Sequence, residues 1–308
     1  METAILVIGQ VFVILILLAV GAISYKLKLI RSSTADQMAA FALKVVTPCV
    51  IIKAYQIDFD SAKLYNMLIA GLLALLTHLI GIVLARLFFR KNEGANPILR
   101  FASIYSNCGF MGIPLIEGTV GQDGVIYACV YLIVFQAILW SHGVVTVKGG
   151  LKSIKFYKMF VNAGTIGIAI GLPLFFLSIR LPSVLSQAVN HIANLNTPLA
   201  MIVSGVYIAK SDIKKIFISP KLYLSVLLRH IIIPICIIGA IILLKPDPTV
   251  ALTSLLIAAC PTASAVTLFA ALYGKKEDLE ASSQILTLSN ILSVLTIPLV
   301  ILFYSAIR

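Results

Sequence analysis

The chain has 308 residues, 60% of them hydrophobic and only 12% charged, with a mean hydropathy of +1.05, whereas soluble domains carry roughly 25% charged residues. That balance excludes a water-soluble globular domain and points to an all-α polytopic membrane protein. The net charge of +12 is therefore tested against the positive-inside rule before any nucleic-acid role is considered.

Apolar runs of about 20 residues cross a bilayer as helices. Ten occur, at roughly 5–24, 37–57, 64–89, 98–118, 124–147, 159–179, 184–209, 220–244, 249–272 and 279–305. The connections are short, so no sizeable soluble domain is expected. The first run has Glu2 where a signal peptide has a basic region, and no small-residue cleavage site before Lys26, so it reads as span 1.

Basic residues gather beside alternate loops: Lys26, Lys28 and Arg31; Arg86, Arg90, Lys91 and Arg100; Lys148, Lys152, Lys155 and Lys158; Lys210, Lys214, Lys215 and Lys221; Lys275 and Lys276. This puts 17 of the 24 Lys and Arg on one side. Lys53, Lys63, Arg180, Lys245 and Arg308 fall on the other. The expected setting is the plasma membrane with both termini extracytoplasmic.

Laying the second half on the first with an offset near 150 aligns the positions where helices are hardest to build. Thr47-Pro48 meets Thr197-Pro198, and Pro114 meets Pro261. The turns Gly121-Gln122-Asp123-Gly124 and Gly274-Lys275-Lys276-Glu277 both lead into the last span of their half. The halves read as a first repeat, 1–147, a short cytoplasmic connector, 148–158, and a second repeat, 159–308. Each holds five spans, an odd number, so the repeats have inverted topology, a transporter architecture in which helices broken at corresponding positions mark the binding site.

Those breaks are expected at Asn107-Cys108-Gly109-Phe110-Met111-Gly112-Ile113-Pro114 in span 4 and around Pro261 in span 9. Proline removes an amide donor and clashes with the carbonyl four residues back. With Pro114 and Pro261 in the first turn of new half-helices, free amides there attract an anion, while the preceding carbonyl ends suit a cation or a proton donor. Unwinding at Gly109 and Gly112 brings Asn107 to the cavity; the alternative is that its amide bonds two helices together. Ala263 lies in the second break. Thr262 and Ser264 are hydroxyl donors there, or bond back to their own helix.

Lys44, near half depth in span 2, either faces the cavity or snorkels to the surface. Asn194 and Asn196 approach the same depth from span 7, and Gln136 and Asn290 correspond in spans 5 and 10, lining the cavity or bonding between helices. Arg229 and His230 in span 8 read as snorkelling toward headgroups. His78 and His142 read as packed histidines, and Tyr127, Tyr131 and Trp140 as packing or interface aromatics.

No acidic residue lies at the centre of a span, which disfavours a carboxylate-centred sodium or proton site. The five cysteines all fall within spans without paired spacing, and no P-loop or HExxH is present. No metal, cofactor or enzymatic constellation is expected.

Residues 107–115, NCGFMGIPL, together with Ala259-Cys260-Pro261-Thr262-Ala263-Ser264, the Tyr273-Gly274 turn and the polar start of span 10, resemble the auxin efflux carrier family, which includes the plant PIN-type carriers. The resemblance covers the whole chain in span count and repeat, and about 60 residues by motif. It implies the fold shared with bile acid sodium symporters: ten helices in two inverted repeats with broken crossover helices 4 and 9. Spans 1, 2, 6 and 7 then form a scaffold, and spans 3, 4, 5, 8, 9 and 10 a transport domain that moves as an elevator. It implies a small organic anion as substrate, malate- or malonate-like or an auxin-like acid. Proton coupling or uniport is then favoured over sodium coupling, since the acid that sodium-coupled relatives use is missing here. The long soluble loop of the plant carriers is absent. A non-transporting membrane sensor or interaction subunit with the same fold is the alternative. Homodimer or monomer is left open.

Overall fold

The computed structural model describes residues 2–91, 93–150, 163–210, 216 and 219–307. Lys152, Lys155, Lys158, Lys214, Lys215 and Arg308, most of the connector 148–158 and the start of the sixth expected span lie outside them.

The described residues form helices α1 (Glu2–Lys26), α2 (Ser32–Ala54), α3 (Ser61–Phe88), α4 (Asn96–Ile104), α5 (Ile113–Thr119), α6 (Gln122–Lys148), α7 (Ala163–Phe176), α8 (Ser183–Ala193), α9 (Asn196–Lys210), α10 (Pro220–Leu244), α11 (Pro248–Ala259), α12 (Ala265–Tyr273) and α13 (Lys276–Ile307). Among the described residues, seven helical stretches are long and apolar enough to cross a membrane: residues 9–26 of α1, then α2, α3, α6, the α8–α9 pair, α10 and residues 277–307 of α13. Large apolar side chains such as Phe12, Ile16, Leu68 and Leu295 are exposed around the bundle, as a lipid-facing surface requires. The chain is an all-α polytopic membrane protein.

Three prolines do not break their helices, because a wide π turn precedes each. The turns Ala42–Val46, Cys108–Gly112 and Leu228–Ile232 stand directly before Thr47-Pro48, Ile113-Pro114 and Ile233-Pro234. A proline cannot donate to the carbonyl four residues back. Shifting the preceding turn to i→i+5 bonding absorbs that defect, and such turns often sit at functional sites. A fourth π turn, Leu139–Gly143, lies in α6.

Close packing between helices uses small residues, as it does where lipid supplies no hydrophobic drive between helices. α1 lies along α9. A Cβ at Gly21 would run into the Ile202 backbone, and one at Gly205 into that of Leu18. α2 packs on α7, α8 and α9, whereas α3 packs on α6, α6 on α11, and α12 on α13.

Candidate functional site

The two broken helices meet each other. α4 ends at Ile104, the chain runs extended at Tyr105 (φ −96, ψ 113), and helical backbone resumes at Cys108 after Asn107. α11 ends at Ala259, Cys260 is extended (φ −60, ψ 149), and α12 resumes at Ala265. Between them lies an isolated antiparallel bridge, Ser106 to Thr262. The Asn107 amide donates to the Pro261 carbonyl at 2.7 Å, and the Ala263 amide donates to the Tyr105 carbonyl at 2.8 Å. Each break thus supplies the backbone partners the other lacks, which is the condition for irregular backbone at membrane depth.

This corrects the expected geometry at both breaks. Pro261 does break its helix, since the residue before a proline is pushed out of the α region, but it does not lie in the first turn of the next one: α12 begins only at Ala265, because Thr262 and Ala263 pair with the other break. Pro114 does not open a half-helix: that segment begins at Cys108, and Asn107, not Pro114, stands opposite Pro261. The reason is the π turn Cys108–Gly112, which accommodates Pro114 inside a continuous helix.

Arg229 and His230, expected at headgroups, lie wholly buried at this crossover. Arg229 donates through Nη1 to the Ile104 carbonyl at 2.7 Å and through Nη2 to the Ala258 carbonyl. These carbonyls belong to the last turns of α4 and α11, where helices leave acceptors unpaired and the macrodipole is negative. Snorkelling loses because two orphaned helix ends offer the guanidinium a better-matched partner than the distant surface. His230 bonds Ser289 Oγ through Nε2 at 2.7 Å and Thr296 Oγ1 through Nδ1 at 2.8 Å. Ser289 Oγ also accepts from the Thr262 amide at 2.8 Å. The chain of bonds fastens the second break to α13. Sequence reading missed this, although the π turn before Pro234 that carries both residues is the same Pro-linked signal seen at Pro114.

Two polar atoms around the crossover have no protein partner among the described residues: Asn107 Nδ2 and Asn196 Nδ2 are buried without a hydrogen bond. Tyr131, expected as packing or interface, is buried with its hydroxyl beside Arg229, Ser106 and Thr77. α9, which begins at Asn196, packs on the Cys108–Gly112 turn, so Asn107 and Asn196 lie on elements in contact. A buried amide left unpaired costs free energy comparable to a lost hydrogen bond, so unpartnered atoms grouped in this way mark a place for a ligand or water. Gly109 is half-buried, and a Cβ there would meet only Leu132 at 3.9 Å. A Cβ at Gly112 would touch Ile257 and Cys260, at 3.5 and 3.6 Å.

Other residues singled out from sequence are occupied elsewhere. Thr262 Oγ1 donates to the Ala102 carbonyl at 3.1 Å, so it bonds a neighbouring helix instead of its own. Ser264 is half-buried at the start of α12, with no side-chain capping bond. Asn290 Nδ2 donates back to Leu286 at 2.8 Å, and Gln136 Oε1 accepts from Trp140 on its own helix at 3.1 Å. Asn194 is exposed and accepts from Lys53 Nζ at 3.1 Å. Lys44 is exposed on α2 with Leu43 and Val45. His78 packs against Tyr105, Tyr131 and Phe135.

A cavity of about 440 Å³ opens beside the crossover, lined by Arg86, Arg100, His142, Lys148 and Lys275 with Asp278. It reaches Ile104, whose carbonyl holds Arg229. His142 in its wall bonds the Tyr105 hydroxyl through Nδ1 at 3.0 Å. Its walls concentrate positive charge, which raises local anion concentration.

Comparison with known proteins agrees with this architecture. A family model described as membrane transport protein matches residues 6–157 and again residues 151–301. A protein of Rhizobium meliloti (strain 1021) named "Putative malonate transporter" is 27% identical over 232 residues, covering 68% of each chain. The chain belongs to the membrane transport protein family, that of the auxin efflux carriers, and is a membrane transporter, not an enzyme.

Proposed function

We propose that the protein is a secondary carrier that moves a small organic anion across the plasma membrane by elevator-type alternating access. The observation that carries the reading is the pair of buried, unpartnered amides of Asn107 and Asn196 on elements in contact, beside the start of the half-helix at Cys108. Free amides at a helix start favour a carboxylate, and the amide side chains would complete its hydrogen bonds. A malonate-like acid is the first candidate, since the Rhizobium relative carries that name. Malate-like and auxin-like acids come next.

The wider architecture fits. Counting α4 with α5, α8 with α9, and α11 with α12 as single crossings gives ten spans, and one family model matching each half in turn supports two repeats, 1–147 and 159–308. α1, α2, α7, α8 and α9 pack among themselves and form the scaffold; the remaining helices form the moving body around the crossover. The basic cavity serves as its vestibule. Proton coupling or uniport suits the lack of a central acid.

Calorimetric titration of the purified protein with malonate, malate and indole-3-acetate tests the site. Saturable binding of at least one acid is expected, weakened about tenfold or more by Asn107→Ala, since a lost hydrogen bond to a charged group costs about 1.5–3 kcal/mol. No binding by any of the three, or binding indifferent to Asn107, would count against it.

A further inference from the structure

Arg229 is wholly enclosed, and among the described residues no carboxylate pairs with it. A buried charge needs a counterpart. The counterpart here is the pair of half-helix C-terminal ends, bonded through the carbonyls of Ile104 and Ala258. Each such end carries about half a negative elementary charge, so two converging ends match one cation. In carriers built from broken helices, carbonyl ends of this kind coordinate the coupling cation.

We infer that Arg229 is a tethered cation: its guanidinium fills the position between the ends of α4 and α11 that a free coupling ion would take, so the crossover is complete without sodium. The fork shape suits the task, because two amino groups reach two carbonyls on different helices, whereas a lysine ammonium presents a single point. The attachment is covalent, on α10, so the charge travels with the crossover and is never released. The consequence for coupling rests on the carrier reading above; the occupancy of the site by Arg229 does not.

The test measures thermal unfolding of purified protein with about 100 mM sodium chloride, about 20 mM guanidinium chloride or choline chloride as the only added salt, concentrations chosen to exceed a millimolar dissociation constant. The wild type should unfold at the same temperature in sodium and in choline. Arg229→Gly opens the site and should unfold at a lower temperature in choline, regaining about 3 °C or more in sodium or guanidinium. Arg229→Met fills the same space without charge and should respond to neither cation. Sodium stabilisation of the wild type overturns the inference. So does an Arg229→Gly protein that is indifferent to both cations, or one that cannot be recovered folded in any of the three salts. No substrate enters these measurements, so failed uptake with the cation pattern intact counts against the carrier reading alone.

Discussion

The backbone amide of Asn107 donates to the carbonyl of Pro261 at 2.7 Å, while the side-chain Nδ2 of the same Asn107 has no partner. One residue therefore divides its groups between holding the crossover and facing what occupies it. Because the backbone does the holding, Asn107→Ala should leave the melting temperature within about 2 °C of wild type, since no side-chain bond to protein is lost. Uptake should fall about tenfold or more. A large drop in stability would instead make Asn107 a bond between helices.

Ser289 has the opposite character. Its hydroxyl serves both the Thr262 amide and His230 Nε2, at 2.8 and 2.7 Å. Ser289→Ala would leave two buried groups unpaired, at a cost of about 1–3 kcal/mol for each group. Ser283→Ala is the control, as that hydroxyl is exposed and only bonds back to Leu279. Thermal unfolding should show a loss of several degrees for the first and almost none for the second.

Lys53 at the end of α2 pairs with Glu117 in α5 at 3.0 Å, the two side chains being 22% and 37% exposed. α2 belongs to the proposed scaffold and α5 to the moving body, so an elevator stroke separates them. As a partly exposed pair it contributes at most about 1 kcal/mol, weak enough to break on each cycle. Bridging Lys53→Cys to Glu117→Cys with a flexible bifunctional methanethiosulfonate, whose spacer replaces the length of the two side chains that a disulfide lacks, in a Cys236→Ser background, should arrest uptake, and reduction should restore it. Uninterrupted uptake by fully crosslinked protein would rule out relative motion at this contact.

The cationic walls of the vestibule should act mainly at a distance. Neutralising Lys148 and Lys275 together by Gln raises the half-saturation concentration about two- to tenfold at low ionic strength, by the usual scale of electrostatic enrichment. The effect should shrink in about 0.5 M salt, where screening acts within a few ångströms. Initial uptake rates across a salt series check both halves of this statement.

What the sequence made legible follows from which interactions are local. Apolar runs mark an all-α polytopic membrane protein because length and hydropathy are properties of a single segment, and Pro261 marks a break because its effect on Cys260 is immediate. The break lies at Tyr105 to Asn107, at the front edge of the expected stretch Asn107 to Pro114 and not at its proline, because it is set by pairing with a segment about 155 residues away. Local rules cannot see that pairing, nor the π turn that excuses Pro114. Arg229 was misread for the same reason: in one sequence a charge near a helix end looks bound for the surface. Only the convergence of α4 and α11 supplies the carbonyls that hold it inside. Asn107 and Asn196 stand out in the sequence because an amide at membrane depth is conspicuous whatever surrounds it, and the structure buries both.

A crossover that carries a carboxylate across the bilayer must show itself as flux. Wild-type protein and Asn107→Ala, reconstituted at equal density in proteoliposomes, would be compared for uptake of radiolabelled malonate, malate and indole-3-acetate under imposed proton and sodium gradients. Saturable uptake of at least one acid by the wild type is expected, indifferent to sodium and about tenfold lower in the variant, as the loss of one charge-assisted hydrogen bond implies. Absence of saturable flux for all three acids under every gradient would contradict it.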